Sequence, residues 1–320
     1  MSWSYWDTGD RTRMRRILGV VAGMDAMAAT AFLIWGQWSP LSHPEPWLLV
    51  KPFVASPLAV LPCLVALVGY GLFFRGREVL GAAIGLLGSF VLAEAVAVQQ
   101  GPGRGVFLSG ACVLAWTVGS YWARRNEREQ PERYGEAGIV AMMAASYIGA
   151  CWSKLAVSGV GWVAPRNLQA FLLAHSAPDP NAVSYQVAQM VVERPWLSTL
   201  LALGTLALEG GAVLMLANAR WRALSTLSLL AFHLVIFLGT GIMYPGATIL
   251  LITVCLPGPW RGTGTPVPER GADWGALIPV FTVALALTAL AVAFGWTEYN
   301  HAHFGSPWDD MYRGAPEAQP

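Results

Sequence analysis

The sequence predicts an all-α integral membrane protein, and three observations carry that prediction. Of 320 residues, 55% are hydrophobic and only 12% are charged, about half the charged share of a soluble domain. The apolar residues gather in runs of about 20, the length that a helix needs to cross the hydrocarbon core of a bilayer. Arg residues lie in short groups between these runs, as they do in cytoplasmic loops. This composition excludes a soluble globular enzyme, and the net charge of +1 argues against a nucleic-acid partner.

Nine apolar runs are predicted to span the membrane. Eight spans are the alternative, because the apolar stretch from Ala223 to Pro257 is too long for one span and barely long enough for two. Tyr244-Pro245-Gly246 lies in the middle of that stretch, and proline with glycine favours a break there. The predicted spans are Ile17–Trp35, Pro52–Phe74, Val79–Gln99, Gly105–Ala123, Ala137–Ala156, Leu197–Ala217, Ala223–Ile242, Gly246–Leu256 and Gly275–Trp296.

The distribution of basic residues predicts the orientation. With nine spans and the N-terminus inside, fourteen of the twenty basic residues lie on the cytoplasmic side, as the positive-inside rule requires. A single span across the ambiguous stretch would move Arg261 and Arg270 outside. The predicted organisation is a cytoplasmic segment over 1–16, a membrane domain over 17–296 and an extracytoplasmic tail over 297–320. The fourteen are Arg11, Arg13, Arg15, Arg16, Arg75, Arg77, Arg124, Arg125, Arg128, Arg133, Arg220, Arg222, Arg261 and Arg270.

The longest predicted segment outside the membrane runs from Val157 to Trp196. Its amphipathic stretch over 165–175 predicts a short helix on the outer membrane surface, positioned as a lid over whatever the spans enclose. The first span follows a basic segment and is expected to stay as a signal anchor. An excess of Arg over Lys and many Ala and Gly residues are typical of a GC-rich bacterial genome, so we expect the cytoplasmic membrane of a bacterium.

Four cysteines all fall inside apolar runs, where free thiols pack as small hydrophobic groups. No disulfide framework is therefore expected. Glu298, His301 and His303 lie together near the C-terminus, but no further ligand spacing supports a metal site there. The cysteines are Cys63, Cys112, Cys151 and Cys255.

Five ionisable residues lie inside predicted spans, where a charge at mid-bilayer costs about 2.5–3.5 kcal/mol. Each either pairs with another polar group to fix helix packing or serves a function. Nothing around Asp25 is distinctive, so packing is favoured for it. Gly210 and Gly211 after Glu209 permit close helix approach, which leaves both roles open for Glu209. The five are Asp25, Glu94, Lys154, Glu209 and His233.

Lys154 is the most informative of these residues. It is one of two lysines in the sequence, and helical spacing places it on one face with Tyr147, Cys151 and Ser158. Burial would favour the neutral amine, a usable base, whereas a nearby carboxylate would favour the charged form. A lysine near a helix end that extends to the outer interface is the alternative. His233 lies near the centre of its span, where packing is the commoner role.

Several of these elements occur together in an order that resembles the membrane domain of vitamin K-dependent γ-glutamyl carboxylase, within the broader HTTM (horizontally transferred transmembrane) family. The resemblance in specific motifs covers about Tyr147 to Trp260. It is carried by Tyr147-Ile-Gly-Ala-Cys-Trp-Ser-Lys-Leu155, Trp162, the segment ending near His175, Glu209, Phe232-His233, Gly239-Thr-Gly-Ile-Met-Tyr244 and Leu256-Pro257.

The resemblance implies an intramembrane enzyme that acts on reduced vitamin K, a menaquinol-like quinol or another lipid-soluble substrate. The motif lysine, here Lys154, would deprotonate the quinol, with His233 and Glu209 around the same cavity. Tyr147, Cys151, Trp162 and Tyr244 would then line the quinol site. The Asn-His pair of the carboxylase has no counterpart in Val98–Arg104.

Three functions follow from these observations. The first is a carboxylase-like membrane enzyme, a lyase or oxidoreductase, that handles a quinol and acts on a peptide or protein. The second is a non-catalytic accessory or maturation factor of the HTTM family, for example for a secreted peptide. A transporter ranks third, because the sequence shows no internal repeat and no matched pair of broken helices.

Overall fold

The computed structural model describes residues 11–35, 51–54, 56–98, 103–128, 131–176, 179–240 and 244–256, and over these ranges the chain is helical with no strand. The predicted all-α class is confirmed there. The ninth predicted span, Gly275–Trp296, and both terminal segments lie outside these ranges, apart from residues 11–16. The α-helices are α1 (Arg11–Trp35), α2 (Val60–Phe74), α3 (Glu78–Val98), α4 (Gly103–Arg125), α5 (Pro131–Ser158), α6 (Pro165–His175), α7 (Val183–Val192), α8 (Pro195–Gly210), α9 (Ala219–Thr240) and α10 (Pro245–Leu250).

Short helical segments extend several of these elements. Two 3₁₀ segments precede α2, a third follows α5, and a fourth continues α8 as far as Leu216, while a π-helical turn continues α10 to Cys255. Pro begins α5, α6, α8 and α10, because its missing N–H costs nothing in the first helical turn. The segments are Lys51–Phe53, Pro57–Ala59, Gly159–Val163, Gly211–Leu216 and Leu251–Cys255.

Within the described ranges, six helical stretches are long and apolar enough to cross a membrane. Over the described residues the protein is therefore all-α, and its apolar helices suit a lipid bilayer. The stretch Pro245–Cys255 is apolar but shorter. The six stretches are Met14–Ile34, Pro57–Phe74, Glu78–Val96, Pro131–Ala156, Pro195–Leu216 and Ala219–Thr240.

Helices α1 to α5 pack closely through glycine and alanine. An ideal Cβ on Gly69 of α2 would overlap the backbone of Gly85 on α3, and one on Gly81 of α3 would overlap the backbone of Phe73. Where α4 meets α5, the fully buried Trp116 covers Gly135. Without a hydrophobic force between helices in lipid, such close backbone approach supplies the van der Waals contact that holds them together.

A buried carboxylate ties three helix ends together at one end of this bundle. Glu78, the first residue of α3, is 5% exposed. Its Oε2 lies 2.7 Å from Nη2 of Arg124, and its Oε1 lies 3.6 Å from Nη1 of Arg15. The start of α1, the start of α3 and the end of α4 therefore meet at this end of the bundle.

The segment between α5 and α8 contains two short helices. The helix expected over 165–175 is present as α6. Helix α7, Val183–Val192, is a further element. Leu172 of α6 packs with Ala188 and Val191 of α7 in a small apolar cluster of their own. Leu197 and Leu201 of α8 complete that cluster, so both helices rest on the first turns of α8.

Candidate functional site

One face of α5 carries the side chains that the spacing analysis brought together. Tyr147, Cys151 and Lys154 each contact a later helix: Tyr147 contacts α9, and the other two contact α8. The fourth residue of the predicted face, Ser158, closes α5, and its side chain lies outside the described part of the structure. The helix thus directs a phenol, a thiol and an amine into the bundle from successive turns.

Lys154 forms a two-point ion pair with Glu209. Its Nζ lies 2.7 Å from both Oε1 and Oε2 of the carboxylate. The side chain of Glu209 is 6% exposed and that of Lys154 is 20% exposed. The amine also donates to the carbonyl of Ala150 at 3.4 Å. Lys154 therefore faces its partner helix, and the alternative in which it extends alone to the interface does not describe this structure.

The surroundings of this ion pair are aromatic and small. Nζ of Lys154 lies 5.7 Å from the centre of the Trp162 ring, within range of a cation–π contact. Sγ of Cys151 donates to the carbonyl of Leu206 at 3.6 Å. A Cβ on Gly210 would lie 3.4 Å from that sulfur, an ordinary contact distance, and one on Gly211 would meet nothing within 4 Å.

A second polar group lies around His233, near the middle of α9. Nε2 of His233 and the hydroxyl of Tyr147 are hydrogen-bonded at 2.6 Å. The rings of Tyr147 and Tyr244 meet the imidazole edge to face at 5.9 Å and 5.4 Å, and Phe232 lies 6.0 Å away. Among the described residues, no group hydrogen-bonds the buried Nδ1 of His233. Its position leaves one ring nitrogen available within an aromatic setting.

The candidate site therefore has two parts on one helix. Tyr147 and Lys154 are two helical turns apart, which is about 10 Å along the axis. Trp162 belongs to the first part and has a buried Nε1 with no hydrogen-bond partner in the described structure. Tyr244 belongs to the second part. A ligand that reached both parts would meet an ion pair at one end and an imidazole nitrogen at the other.

Two of the five predicted intramembrane ionisable residues lie elsewhere. Asp25 is buried among α1, α4 and α10, where it interacts with Ser109 and Gly246. Glu94 is buried on α3 and has an interaction partner. The side chain of His175 lies outside the described residues. The structure thus places Glu209 against Lys154 and His233 against Tyr147, both on α5. Asp25 and Glu94 lie outside this site.

Sequence reasoning missed buried charges that lie at helix ends rather than inside spans. Glu78, Glu136 and Arg222 are all buried, and each lies within six residues of the start of its helix. A search restricted to span interiors passes over such residues. The signal that could have found them is an acid or Arg at the junction between a basic loop and an apolar run.

The described residues offer no group of three or more His, Cys, Asp or Glu side chains that could hold a metal ion. Residues 298–303, with their two histidines, lie outside the described ranges. The four cysteines are free and buried, which confirms the expectation from the sequence. No protein-family model, curated protein or solved structure matches the chain.

Proposed function

We propose that this chain is a membrane enzyme in which Lys154 removes a proton from a quinol or another lipid-soluble hydroxyl compound. The observation that carries the proposal is the two-point contact of Lys154 with Glu209 at 2.7 Å, inside a bundle of apolar helices. A buried ion pair is weak evidence for stability, since its desolvation can exceed its attraction. Its presence in apolar surroundings therefore favours a functional role.

Lys154 and Glu209 can pass a proton from one to the other. Protonated Lys154 has no free lone pair, so it acts as a base only after it passes a proton from Nζ to the nearest acceptor, an Oε atom of Glu209. The neutral amine then takes the proton of a hydroxyl that contacts it, and the ammonium is restored. Glu209 is the proton reserve in this scheme and Lys154 the group that contacts the substrate.

The two parts of the site together offer polar partners to a ring that carries two oxygens. The partnerless Nδ1 of His233 can hydrogen-bond an oxygen, and the rings of Tyr147 and Tyr244 supply apolar area beside it. The partnerless Nε1 of Trp162 is a donor near the ion pair. A reduced vitamin K or menaquinol-like quinol, when bound, would supply two ring hydroxyls and an apolar tail. Cys151 would lie beside that ligand.

The wider activity follows the resemblance to the carboxylase membrane domain. The chain is a carboxylase-like lyase or a quinol-epoxidising oxidoreductase of the HTTM family, with a peptide or protein as a second substrate. Its location is the cytoplasmic membrane of a bacterium. These assignments rest on the motif around Lys154 and on the order in which Trp162, Glu209 and His233 follow it.

The proposed topology has nine spans, with the N-terminus inside and the C-terminus outside. Helix α9 ends at Thr240 and α10 begins at Pro245, which supports the break that this topology needs in the ambiguous stretch. Helix α4 has 23 residues and lies between α3 and α5, which supports its place among the spans. In this topology α6 and α7 lie on the outer side.

Mass spectrometry of co-purified lipid tests the proposed ligand. The protein is purified in mild detergent, extracted, and searched for a quinone, with Lys154→Ala and Glu209→Gln beside the wild type. Lys51→Ala is the matched control, because Lys51 is the other lysine of the sequence. We expect stoichiometric quinone in the wild type and the control, and reduced quinone in both site variants. Equal quinone in all four, or none in any with no binding of added quinol, would overturn the proposal.

An accessory or maturation factor is the second candidate, and the same ion pair favours it. In that case Lys154 and Glu209 serve only to fasten α5 to α8. Exchanging the charges, Lys154→Glu with Glu209→Lys, keeps the pair and moves the amine to the other helix. If the pair only holds α5 to α8, the protein tolerates the exchange, and its quinone content and biological activity stay at the wild-type level. A base loses its position, so activity falls although the folded protein remains. Transport stays the third possibility.

A further inference from the structure

Asp25 is a buried acid that the proposed function does not use. It lies near the middle of the 25-residue helix α1 and is 7% exposed. Within the described part of the chain, no Lys, Arg or His side chain forms an ion pair with it. Glu78 and Glu209, two other buried acids, each contact a cation at 2.7 Å. Asp25 therefore differs from them in having no opposite charge beside it.

The partners of Asp25 are neutral donors. The hydroxyl of Ser109 on α4 and the backbone N–H of Gly246 on α10 hydrogen-bond its carboxyl group. The second oxygen, Oδ2, is buried with no hydrogen-bond partner among the described residues. The titratable groups that face Asp25 from neighbouring elements are Tyr70 of α2 and Cys112 of α4, and neither supplies a positive charge. Tyr70 is itself hydrogen-bonded to Ser89 at 2.6 Å.

Gly246 leaves the space that this carboxyl group occupies. An ideal Cβ on Gly246 would overlap Oδ2 of Asp25, so a residue with a side chain would push the acid away from α10. Gly246 is two residues after Tyr244, whose ring lies 5.4 Å from that of His233. The contact with Asp25 therefore lies at the start of α10, beside Tyr244.

We propose that Asp25 is a proton-binding site, in which the neutral carboxylic acid closes the junction of α1, α4 and α10. One oxygen accepts from Ser109 and Gly246, and Oδ2 carries the proton. An ionised carboxylate without a cation would be costly in this apolar interior, and the group avoids that cost by holding a proton. Release of the proton would place an unpaired charge against α10 and loosen the contact between α1 and the start of α10. This proposal stands whether or not Lys154 is a base.

Infrared spectroscopy of the protein in lipid nanodiscs at mildly acidic pH tests the proposal. A protonated carboxylic acid has a carbonyl stretch that a carboxylate lacks, and the Asp25→Asn variant isolates the band of Asp25 by difference. We expect the band in the wild type and in Glu209→Gln, and its loss in Asp25→Asn. The amide resembles the neutral acid in shape and charge, so the variant is also expected to unfold at the wild-type temperature.

A measurement on the wild type keeps the test valid if the variant does not fold. Biosynthetic labelling with ¹³C-aspartate should shift the same band in the unmodified protein. Absence of a shifting band overturns the proposal. The measurement is repeated with sodium chloride in place of choline chloride in the buffer. Loss of the band in sodium also overturns the proposal, because Asp25 would then be a site for a monovalent cation rather than for a proton.

Discussion

The first helices and the later helices of this bundle are held together by different means. In the most apolar part of α1, 56% of residues are buried inside the protein, against 22% in α9. Glycine and alanine bring α1 to α5 into backbone contact. Helices α8 and α9 expose more of their surface and meet α5 through an ion pair and a tyrosine–histidine hydrogen bond.

The two regions therefore depend on different kinds of contact. The early region depends on the absence of side chains at a few positions, where close approach supplies dispersion contacts. The later region depends on specific polar partners, which hold α5 to its neighbours but also place reactive groups at the contact. The candidate functional groups therefore lie where the helices are held by polar side chains. Substitutions in the early region should therefore impair packing, whereas those in the later region should also affect ligand binding.

The largest effect is expected from Gly69→Val in α2. The valine side chain would overlap the backbone of Gly85, and backbone cannot rotate away as a side chain can. Overpacking costs about 1–3 kcal/mol where side chains adjust, and more here, so we expect the variant to aggregate during extraction. Gly71→Val is the matched control two residues away, since nothing lies within 4 Å of an ideal Cβ there.

Size-exclusion chromatography after detergent extraction measures this outcome. A single symmetrical peak for Gly71→Val beside an aggregated Gly69→Val would support the role of close packing. Equal behaviour of the two variants would mean that α2 and α3 tolerate separation, and the contrast between the regions would fail.

The sequence predicted the helical class and the break before α10 because both depend on local properties. Runs of apolar residues and a Pro-Gly pair act within a few residues of chain. It also placed Tyr147, Cys151 and Lys154 on one face, since that requires only the helical period. The partner of each side chain was beyond local reasoning. Glu209 lies 55 residues from Lys154, and His233 lies 86 residues from Tyr147, so only packing brings them together.

Helix α7 shows another limit of the sequence. Residues Val183–Val192 form a helix of only 10 residues, too short to produce a span signal. Its apolar positions are explained by Leu172 and Leu197, which belong to other helices. The role of Glu78 was hidden for a similar reason, because its cations come from α1 and α4.

The next largest effect is expected from breaking the ion pair. Lys154→Met leaves the carboxylate of Glu209 buried without its cation, and removal of one partner of a buried pair costs about 3–5 kcal/mol. The double variant Lys154→Met with Glu209→Met replaces both charges with apolar groups. Because that exchange is often neutral, we expect the double variant to unfold at a higher temperature than the single one.

Thermal unfolding followed by tryptophan fluorescence provides this comparison. The single variant should be the least stable of the set, and the double should approach the wild type. A double variant that is less stable than Lys154→Met would show that the pair stabilises the fold outright, which would support the fastener role over the catalytic one.

A smaller effect is expected from Glu78→Gln at the junction of α1, α3 and α4. The amide keeps the shape but loses the charge that Arg124 and Arg15 contact. Hydrogen bonds to charged groups contribute about 1.5–3 kcal/mol to stability, so we expect the free energy of unfolding to fall by about 2 kcal/mol. Glu127 is exposed and lies two residues after α4, and Glu127→Gln should not measurably change the free energy of unfolding. An equal loss in both variants would assign the effect to net charge alone.

The smallest effect on stability is expected from Tyr147→Phe, and it tests whether the later region is built for chemistry. The substitution removes the hydroxyl that bonds Nε2 of His233 at 2.6 Å and keeps the ring. A single hydrogen bond contributes about 1 kcal/mol, so the unfolding temperature should fall only slightly. Tyr121→Phe, on the exposed face of α4, is the control.

Quinone content separates the two meanings of that small change. If the hydroxyl orients the imidazole for a ligand, Tyr147→Phe should lose bound quinone well beyond its loss of stability, because a rotated His233 no longer presents Nδ1 to the same place. If the hydrogen bond serves packing alone, quinone retention and stability should decline together. A polar contact of modest energy would then hold α9 to α5 just as glycine holds α2 to α3, and the contrast between the two regions would be one of degree.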